Sequence, residues 1–218
     1  MNTKEKLENA YIDYVLSNNE QPKSVYIFTK SLKLKEDDFY THYNSFEAIE
    51  KRIWQQLFTQ TMDIIKSQET YAGYNAREKA LSFFYSFVEV LKSRRSFIIY
   101  SLKHTERSIS TPAVLQNVKE EFSKFSLEII NEGMDNNELS DRKYISDRYK
   151  DALWLQFSFI LNFWIHDDSP DFEKTDEAIE KGINVTFDLM SRSPIDNLIE
   201  YGKFLVKNSK FKPDFIFK

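Results

Sequence analysis

Turn-forming residues are scarce in this sequence, which contains 4 Gly and 5 Pro among 218 residues. A sandwich or barrel of many strands needs a turn about every ten residues, so this scarcity excludes both folds and favours helices. The chain is 41% hydrophobic and 16% aromatic, which is enough apolar surface to offset the entropy lost on folding. We therefore expect an all-α protein, long enough for one large domain or two small ones.

Composition also excludes several kinds of chemistry. The chain has no Cys and 3 His, which rules out disulfides, thiol catalysis and cysteine-ligated zinc and leaves few ligands for any other metal. It lacks a glycine-rich phosphate loop, a Gly-x-Ser-x-Gly motif and a His-Glu-x-x-His motif. We expect no enzymatic activity, no cofactor and no metal. The net charge of -4 means that any nucleic acid must be bound through a local patch.

Signals for targeting and membrane insertion are missing from the sequence. The first residues are charged and amphipathic and lack the apolar run of a secretory signal. The longest uncharged apolar stretch, Ala152–His166, is shorter than the roughly 20 residues of a membrane-spanning helix. We expect a cytoplasmic protein that does not associate with membranes.

Apolar periodicity, interrupted by Gly, Pro and Asn, predicts ten helices and no strand. Pro112 is expected to open the seventh helix, and Gly133 is expected to end it. The predicted ranges are 4–18, 24–31, 36–42, 45–67, 76–93, 95–107, 112–133, 144–167, 171–191 and 195–208.

The first three predicted helices have the pattern of a helix-turn-helix unit. Val25, Phe28 and Leu32 form one apolar stripe on the second helix, and Leu34 follows in a tight turn. The third helix is expected to bury Phe39, Tyr40 and Tyr43. Two short helices joined by a turn of about three residues, with a helix before them, describe this unit, although any small helical corner gives a similar pattern.

The residues within this pattern carry a family resemblance. Residues 4–54 resemble, without a gap, the N-terminal domain of the tetracycline-repressor (TetR) family of transcription regulators. The matching positions are Ala10, Ser24, Val25, Phe28, Thr29, Leu34, Phe39, Tyr40, Tyr43, Ser45 and Glu47. Further on, residues 132–139 look like the family's Gly-x-x-x-Gly-Glu-Leu link between its seventh and eighth helices, but without the second glycine.

This resemblance implies a homodimer whose third helices enter the major groove of operator DNA and are released by a ligand. It divides the chain into a DNA-binding domain at 1–46 and a ligand-binding and dimerisation domain at 47–218. The residues expected to contact DNA are Ser24, Lys35, Tyr40, Thr41 and His42. The sign of regulation is expected to be repression, and no enzymatic role is implied.

The sequence departs from the family at the turn and at the start of the third helix. The glycine that the family has between helices two and three is Lys33, and its lysine in helix four is Phe46. The triplet Glu36, Asp37 and Asp38 stands where phosphates should be approached and is expected to weaken DNA binding. These acids could instead cap the helix and complement its dipole. The alternative function is therefore a TetR-like hydrophobic-ligand or lipid-binding protein without DNA contact, comparable to the one of ubiquinone biosynthesis.

The segment Ala152–Ile165 is apolar on nearly every side, so one face should cover the core and another should be buried by a partner. We expect a dimer built from the eighth and ninth helices of each chain about a twofold axis. The alternative is a monomer in which these helices are central. The residues predicted to form the interface are Leu153, Phe157, Ile160, Leu161, Trp164, Ile179, Ile183, Phe187 and Met190.

Aromatic residues at helical spacing in the larger domain suit a cavity for a small hydrophobic or aromatic ligand, although they could equally form an ordinary core. The predicted ligand-binding residues are Phe84, Tyr85, Phe87, Tyr100, Phe122, Trp154, Gln156, Phe159, Asn162 and Phe163. His166, Asp167 and Asp168 are possible metal ligands. A histidine at the C-terminus of a helix is, however, sufficiently explained by its interaction with the helix dipole, so we do not predict a metal site here.

Overall fold

The computed structural model describes residues 2–103, 111–142, 146–191, 200–205 and 207. Over these ranges the chain is helical and contains no strand, so the all-α prediction is confirmed. The α-helices are α1 (Thr3–Asn18), α2 (Val25–Ser31), α3 (Glu36–Tyr40), α4 (Phe46–Lys66), α5 (Ala76–Lys92), α6 (Arg95–Lys103), α7 (Gln116–Asp135), α8 (Tyr149–His166) and α9 (Glu173–Met190). None of the helices in the described ranges is both long and apolar enough to cross a membrane.

Side-chain caps define where several helices begin. The Ser24 hydroxyl accepts a hydrogen bond from the amide of Ile27 at the start of α2, over 3.2 Å. Ser45 does the same for Ala48 at the start of α4, over 3.1 Å. These residues satisfy amides that have no partner within the helix, which is why the sequence places the two starts correctly.

Several predicted boundaries of α7, α8 and α9 are wrong. α7 begins at Gln116 after a 3-10 turn over Ala113–Leu115, and it continues past Gly133 to Asp135. α8 begins at Tyr149, after a second 3-10 turn. α9 begins at Glu173, because Asp171 and Phe172 have φ of 51° and 62°, which a helix does not allow.

Some predicted helical residues fall outside the described ranges. These are 104–107 of the sixth helix, 144–145 of the eighth, and 195–199, 206 and 208 of the tenth. Residues 200–205 are helical, in agreement with the prediction.

The N-terminal helices pack around Phe28, which is 1% exposed. Its ring lies 5.4 Å from that of Phe46 on α4 and 6.4 Å from that of Phe39 on α3, both in edge-to-face arrangements. α2 ends at Ser31, and the chain turns at Lys33, where φ is 57°, so that the Leu34 amide donates to the Thr29 carbonyl. The left-handed conformation that glycine adopts easily is thus taken by a lysine.

The larger part of the molecule has an aromatic core between α5, α7 and α8. The ring of Phe83 lies 5.5 Å from Phe87, 5.2 Å from Phe122 and 5.1 Å from Phe125. Phe157 on α8 lies 5.0 Å from Phe122 and closes the cluster. α4 runs along this core and also contacts α1, so it joins the two parts of the chain.

The link after α7 has a left-handed residue at the position where the motif that it resembles has a second glycine. Asn137 stands in place of the second glycine and has φ of 59°. The amides of Glu138 and Leu139 both donate to the Gly133 carbonyl, over 2.8 and 3.0 Å. A Cβ at Gly133 would lie 2.9 Å from Leu139, so only glycine permits this approach.

A polar clamp holds the end of α8 against the starts of α6 and α9. Arg95 donates to the carbonyls of Trp164, Ile165 and Asp167 over 3.0 to 3.3 Å. The Asp167 carboxylate accepts four hydrogen bonds, from the amide and the hydroxyl of both Ser169 and Thr175, over 2.6 to 2.9 Å. Burial opposes ionisation of Asp167, but these bonds outweigh it and lower the pKa of Asp167 to about 2.

His166 does not share a site with its acidic neighbours. Its Nδ1 lies 2.8 Å from the Asn162 carbonyl oxygen, whereas Asp167 is engaged in the clamp. In the ranges that the structure describes, no group of three or more acidic or histidine side chains could hold a metal ion.

Candidate functional site

The exposed surface of the helix-turn-helix unit is formed by α3 and the residues after it. Tyr40 is 56% exposed, and Thr41 and His42 are exposed as well. α3 ends at Tyr40, two residues earlier than predicted, and the Tyr40 side chain faces solvent rather than the buried side of the helix. Tyr40 is held by an edge-to-face contact with the buried Phe39, at 5.5 Å.

Two further predicted DNA contacts flank this surface. Ser24 caps α2 and is partly exposed, and Lys35 is exposed at the position that precedes α3. The structure therefore brings all five predicted residues onto one small helical unit. Whether they contact DNA stays a prediction.

The acidic triplet divides into one capping residue and two free ones. The Asp38 carboxylate accepts a hydrogen bond from the Lys35 amide over 2.8 Å, which stabilises the start of α3. Glu36 and Asp37 are exposed, and their carboxylates have no hydrogen-bond partner among the described residues. Helix capping thus accounts for Asp38 but not for the other two charges.

A buried carboxylate on α4 links the helix-turn-helix unit to the larger part of the chain. Glu50 is 4% exposed and accepts hydrogen bonds from the Tyr11 hydroxyl on α1, over 2.5 Å, and the Ser101 hydroxyl on α6, over 2.6 Å. The Trp54 indole nitrogen in turn donates to the Ser101 oxygen over 3.1 Å. Burial, together with the charge of Glu50, raises the pKa of Tyr11 far above its ordinary value, so Tyr11 remains a donor at any physiological pH.

A second buried carboxylate, that of Glu8, lies in the same region. Glu8 on α1 is 5% exposed and accepts hydrogen bonds from the Tyr43 hydroxyl and from Nε2 of Gln56 on α4, the latter over 3.0 Å. Burial and this hydrogen bond raise the pKa of Tyr43 well above its ordinary range. We call Glu8, Tyr11, Glu50 and Ser101 the polar junction, because they join α1 to α4 and α6.

The residues predicted to form the dimer interface lie instead inside the chain's own core. All are at most 5% exposed, so they cannot present a surface to a partner: Leu153, Phe157, Ile160, Leu161, Trp164, Ile179, Ile183, Phe187 and Met190. α8 and α9 expose a different apolar face, with Leu155 at 71%, Phe159 at 53%, Val185 at 59% and Leu189 at 51%. The stripe predicted to form the interface is therefore the inward one on both helices.

The predicted ligand-binding residues do not line one cavity. Phe84, Phe87, Phe122 and Trp154 belong to the aromatic core, where rings contact one another at 4.8 to 6.4 Å. Tyr100 is buried near the polar junction. Tyr85, Phe159 and Asn162 are exposed, Phe163 contacts Phe159, and Gln156 lies against Gly182 of α9. The rings of α5, α7 and α8 thus fill the space that a ligand would need.

An open groove of about 680 Å³ lies elsewhere, along α4. Arg52 and Asp63 of α4 and Arg94 from the turn between α5 and α6 line it. Sequence reasoning missed this groove, because arginines on an amphipathic helix are ordinarily solvated surface residues.

The sequence of this chain matches a known protein family. The sequence profile of the tetracyclin repressor-like C-terminal domain matches residues 79–205, which is more than half of the chain. The chain belongs to the TetR family. TetR regulators are generally not enzymes. No curated protein matches the sequence.

Two solved structures share the fold of this TetR protein. One, from Shewanella sp. PV-4 and assigned to the TetR family of transcription regulators, gives a TM-score of 0.60 at 13% identity, over 87% of this chain and 98% of its own. The other is a protein of unknown function from Rhodococcus sp. RHA1, with a TM-score of 0.59 at 10% identity, over 88% of this chain and 97% of its own. At these identities the likeness is one of fold.

Proposed function

We propose that this TetR-family protein is a homodimeric, cytoplasmic transcription regulator that represses its genes by binding operator DNA through residues 1–46, while residues 47–218 dimerise and sense a ligand. The observation that carries the proposal is the exposed surface of Tyr40, Thr41 and His42, held on a capped helix-turn-helix unit. A tyrosine, a threonine and a histidine offer hydroxyl and imidazole groups to phosphates and base edges. TetR regulators usually dimerise and bind DNA, which supports this assignment.

The proposed affinity is limited by charge. Glu36 and Asp37 stand unpaired beside the proposed contact surface, and each repels a phosphate at about 10 Å by about 0.4 kcal/mol in water. The same two charges favour the second candidate, a TetR-like protein that binds a hydrophobic ligand without DNA. The packed aromatic core does not decide between the candidates, because both place a ligand in the larger domain and the rings predicted to bind it contact one another.

The experiment that tests DNA binding is a pull-down of sheared genomic DNA at low and moderate salt, read by sequencing. An enriched palindrome is expected. Tyr40→Ala should reduce its recovery, because the proposed contact surface loses its largest side chain.

The charge argument has its own test with a matched control. Glu36→Gln with Asp37→Asn should raise non-specific DNA affinity about fourfold at low salt. Glu177→Gln with Glu180→Gln, on α9, makes the same change of net charge and should have no such effect. If the folded first variant bound no DNA at about 50 mM salt, the DNA-binding proposal would be wrong and the second candidate would replace it.

Dimerisation is proposed through the exposed face of α8 and α9. Leu155 and Phe159 lie one turn apart on α8, as Val185 and Leu189 do on α9, so each of these packed helices exposes an apolar pair. Leu155→Glu should give monomers in sedimentation, because the added charge would have to be desolvated in the interface. Leu127→Glu on α7, at a site that is 39% exposed, is the matched control and should leave the dimer intact.

A further inference from the structure

Residues 201–218 differ in charge from the rest of the chain. They contain five lysines and a single aspartate, which is a net charge of +4. The whole chain carries -4, so residues 1–200 carry -8. The same short segment contains five aromatic residues, which are Tyr201, Phe204, Phe211, Phe215 and Phe217. We call residues 201–218 the basic aromatic segment. Its reversal of sign within an acidic protein indicates a negatively charged partner.

The described part of this segment presents apolar side chains to solvent. Residues 200–205 and 207 are helical. Tyr201 is 59% exposed, Phe204 60% and Leu205 40%. Because they are spaced at i, i+3 and i+4, these three residues share one face of the helix. A Cβ at Gly202 would meet no atom within 4 Å, so the space beside this face is open as well.

The lysines of the same helix lie on its other side. Lys203 and Lys207 are exposed, and neither forms an ion pair with another described residue. They stand about 200° and 240° around the helix axis from Tyr201. The helix therefore has an apolar face and a cationic face, which is typical of helices that lie on a membrane surface.

The two faces together favour an anionic membrane over two other partners. Duplex DNA would pair with the lysines through its phosphates but would leave Tyr201, Phe204 and Leu205 without a role. A second copy that met this segment about a twofold axis would bring its own lysines close to these, because such a contact joins identical surfaces. The interface of an anionic bilayer accepts aromatic side chains at the level of the headgroups and also attracts lysines.

We propose that the basic aromatic segment binds the surface of a membrane that contains anionic lipids. Tyr201, Phe204 and Leu205 enter the headgroup region, and the lysines pair with the lipid headgroups. Surface binding needs no membrane-spanning length, so the short apolar stretches of this chain do not oppose it. The expectation of no membrane association is thereby replaced for the membrane surface alone. The proposal does not rest on the proposed function, because residues 1–46 take no part in it.

Flotation of the full chain with lipid vesicles tests the proposal. Vesicles of phosphatidylcholine with about 30% phosphatidylserine are compared with vesicles of phosphatidylcholine alone, at about 0.1 M salt. The protein is expected to float with the phosphatidylserine vesicles only, and less of it should float as the salt concentration rises. Equal binding to both kinds of vesicle, or binding to neither, would overturn the proposal.

Charge variants assign the binding to the described helix. Lys203→Gln with Lys207→Gln should weaken binding to phosphatidylserine vesicles about 25-fold, because each lysine near such a surface contributes about fivefold. Lys124→Gln with Lys181→Gln is the matched control. These two side chains are 71% and 73% exposed on other helices, so the change of net charge is the same and binding should stay close to that of the wild type. Equal losses in both double variants would show that net charge, and not this helix, governs binding.

Aromatic variants test the apolar face separately. Tyr201→Ser with Phe204→Ser should weaken vesicle binding at least tenfold, because two rings no longer leave water. Leu127→Ser, at a site on α7 that is 39% exposed, should bind vesicles like the wild type. Circular dichroism should show an intact fold in every variant, because all the changed side chains are exposed. Wild-type binding in both the lysine and the aromatic variants would refute the site.

The same variants separate the membrane from the other partners. If the lysine variant lost affinity for non-specific duplex DNA but kept its binding to vesicles, nucleic acid would be the partner. If the aromatic variant sedimented as a smaller species than the wild type, a second copy would cover the face. Either result would overturn the proposal. Recovery of operator DNA should be unchanged in both variants, so the loss of one activity leaves the other standing.

Discussion

The polar junction and the aromatic core hold their helices together by different means. In the junction, Glu50 is buried between the hydroxyls of Tyr11 and Ser101. In the core, Phe83 contacts Phe87 and Phe122 with no hydrogen bond between them. Aromatic packing keeps most of its energy when rings shift slightly, but a hydrogen bond weakens steeply with distance and angle.

The comparison implies a division of roles between the two regions. The aromatic core supplies free energy of unfolding, since each buried ring removes a large apolar area from water. The polar junction contributes less net energy but fixes the direction in which α1 meets α4 and α6. The helix-turn-helix unit is thus attached through contacts that favour one orientation of α1 relative to α4 and α6 over slightly different orientations.

The largest effect is expected in the aromatic core. Phe83→Ala should lower the free energy of unfolding by about 3–5 kcal/mol, because it removes a fully buried ring and leaves a cavity. Urea denaturation followed by circular dichroism measures this. Leu127→Ala, at a site that is 39% exposed, should cost less than about 1 kcal/mol. Similar losses in both variants would contradict the role assigned to the core.

The polar junction should respond less strongly but more specifically. Glu50→Ala should lower the free energy of unfolding by about 2–3 kcal/mol, because the hydroxyls of Tyr11 and Ser101 lose a shared acceptor while they remain buried. Glu50→Gln should cost less, since the amide oxygen still accepts one of these bonds. Glu47→Ala breaks only an exposed pair with Lys51 and should cost at most about 0.5 kcal/mol. A Glu50→Ala variant as stable as wild type would show that the junction is dispensable.

The polar clamp at Asp167 predicts a loss of stability in acid. Its folded-state pKa of about 2 lies below the ordinary value of 3.8, so the unfolded chain binds the proton first as pH falls. The stabilisation is complete above about pH 5 and is lost as pH falls towards 2, by about 2 kcal/mol. Asp167→Asn should remove this part of the pH dependence in denaturation curves. An unchanged pH profile in that variant would contradict the assignment.

The smallest expected effect is at the turn of the helix-turn-helix unit. Lys33→Gly should raise the free energy of unfolding by about 0.5–1 kcal/mol, because Lys33 has φ of 57° and glycine adopts that conformation without steric cost. Lys30→Gly in α2 is the control and should lower it by about 1 kcal/mol. Thermal melts of the two variants should therefore shift in opposite directions.

Local signals allowed the sequence to predict most of the fold. Caps such as Ser24 and Ser45 and the apolar periodicity of each helix act within a few residues, so nearly all helices were placed correctly. The starts of α7 and α9 were missed because they depend on 3-10 turns that the same residue types could have formed as α-helix.

The candidate sites depended on long-range packing and were predicted less well. α8 is apolar on nearly every side, so periodicity could not show that Leu153 faces inward and Leu155 outward. Glu8 and Glu50 resemble ordinary surface residues in the sequence. Their burial results from partners 35 to 51 residues away, which no local pattern indicates.

Two left-handed turns, at Lys33 and Asn137, stand where the TetR pattern has glycine. At both positions the fold requires a positive φ, and glycine is only the residue that most often adopts it. A sequence motif that requires glycine does not match this chain at Lys33 or Asn137, whereas a motif defined by backbone dihedral angles matches it at both. Distant relatives of such proteins are therefore better recognised by the shape of their turns than by the presence of glycine.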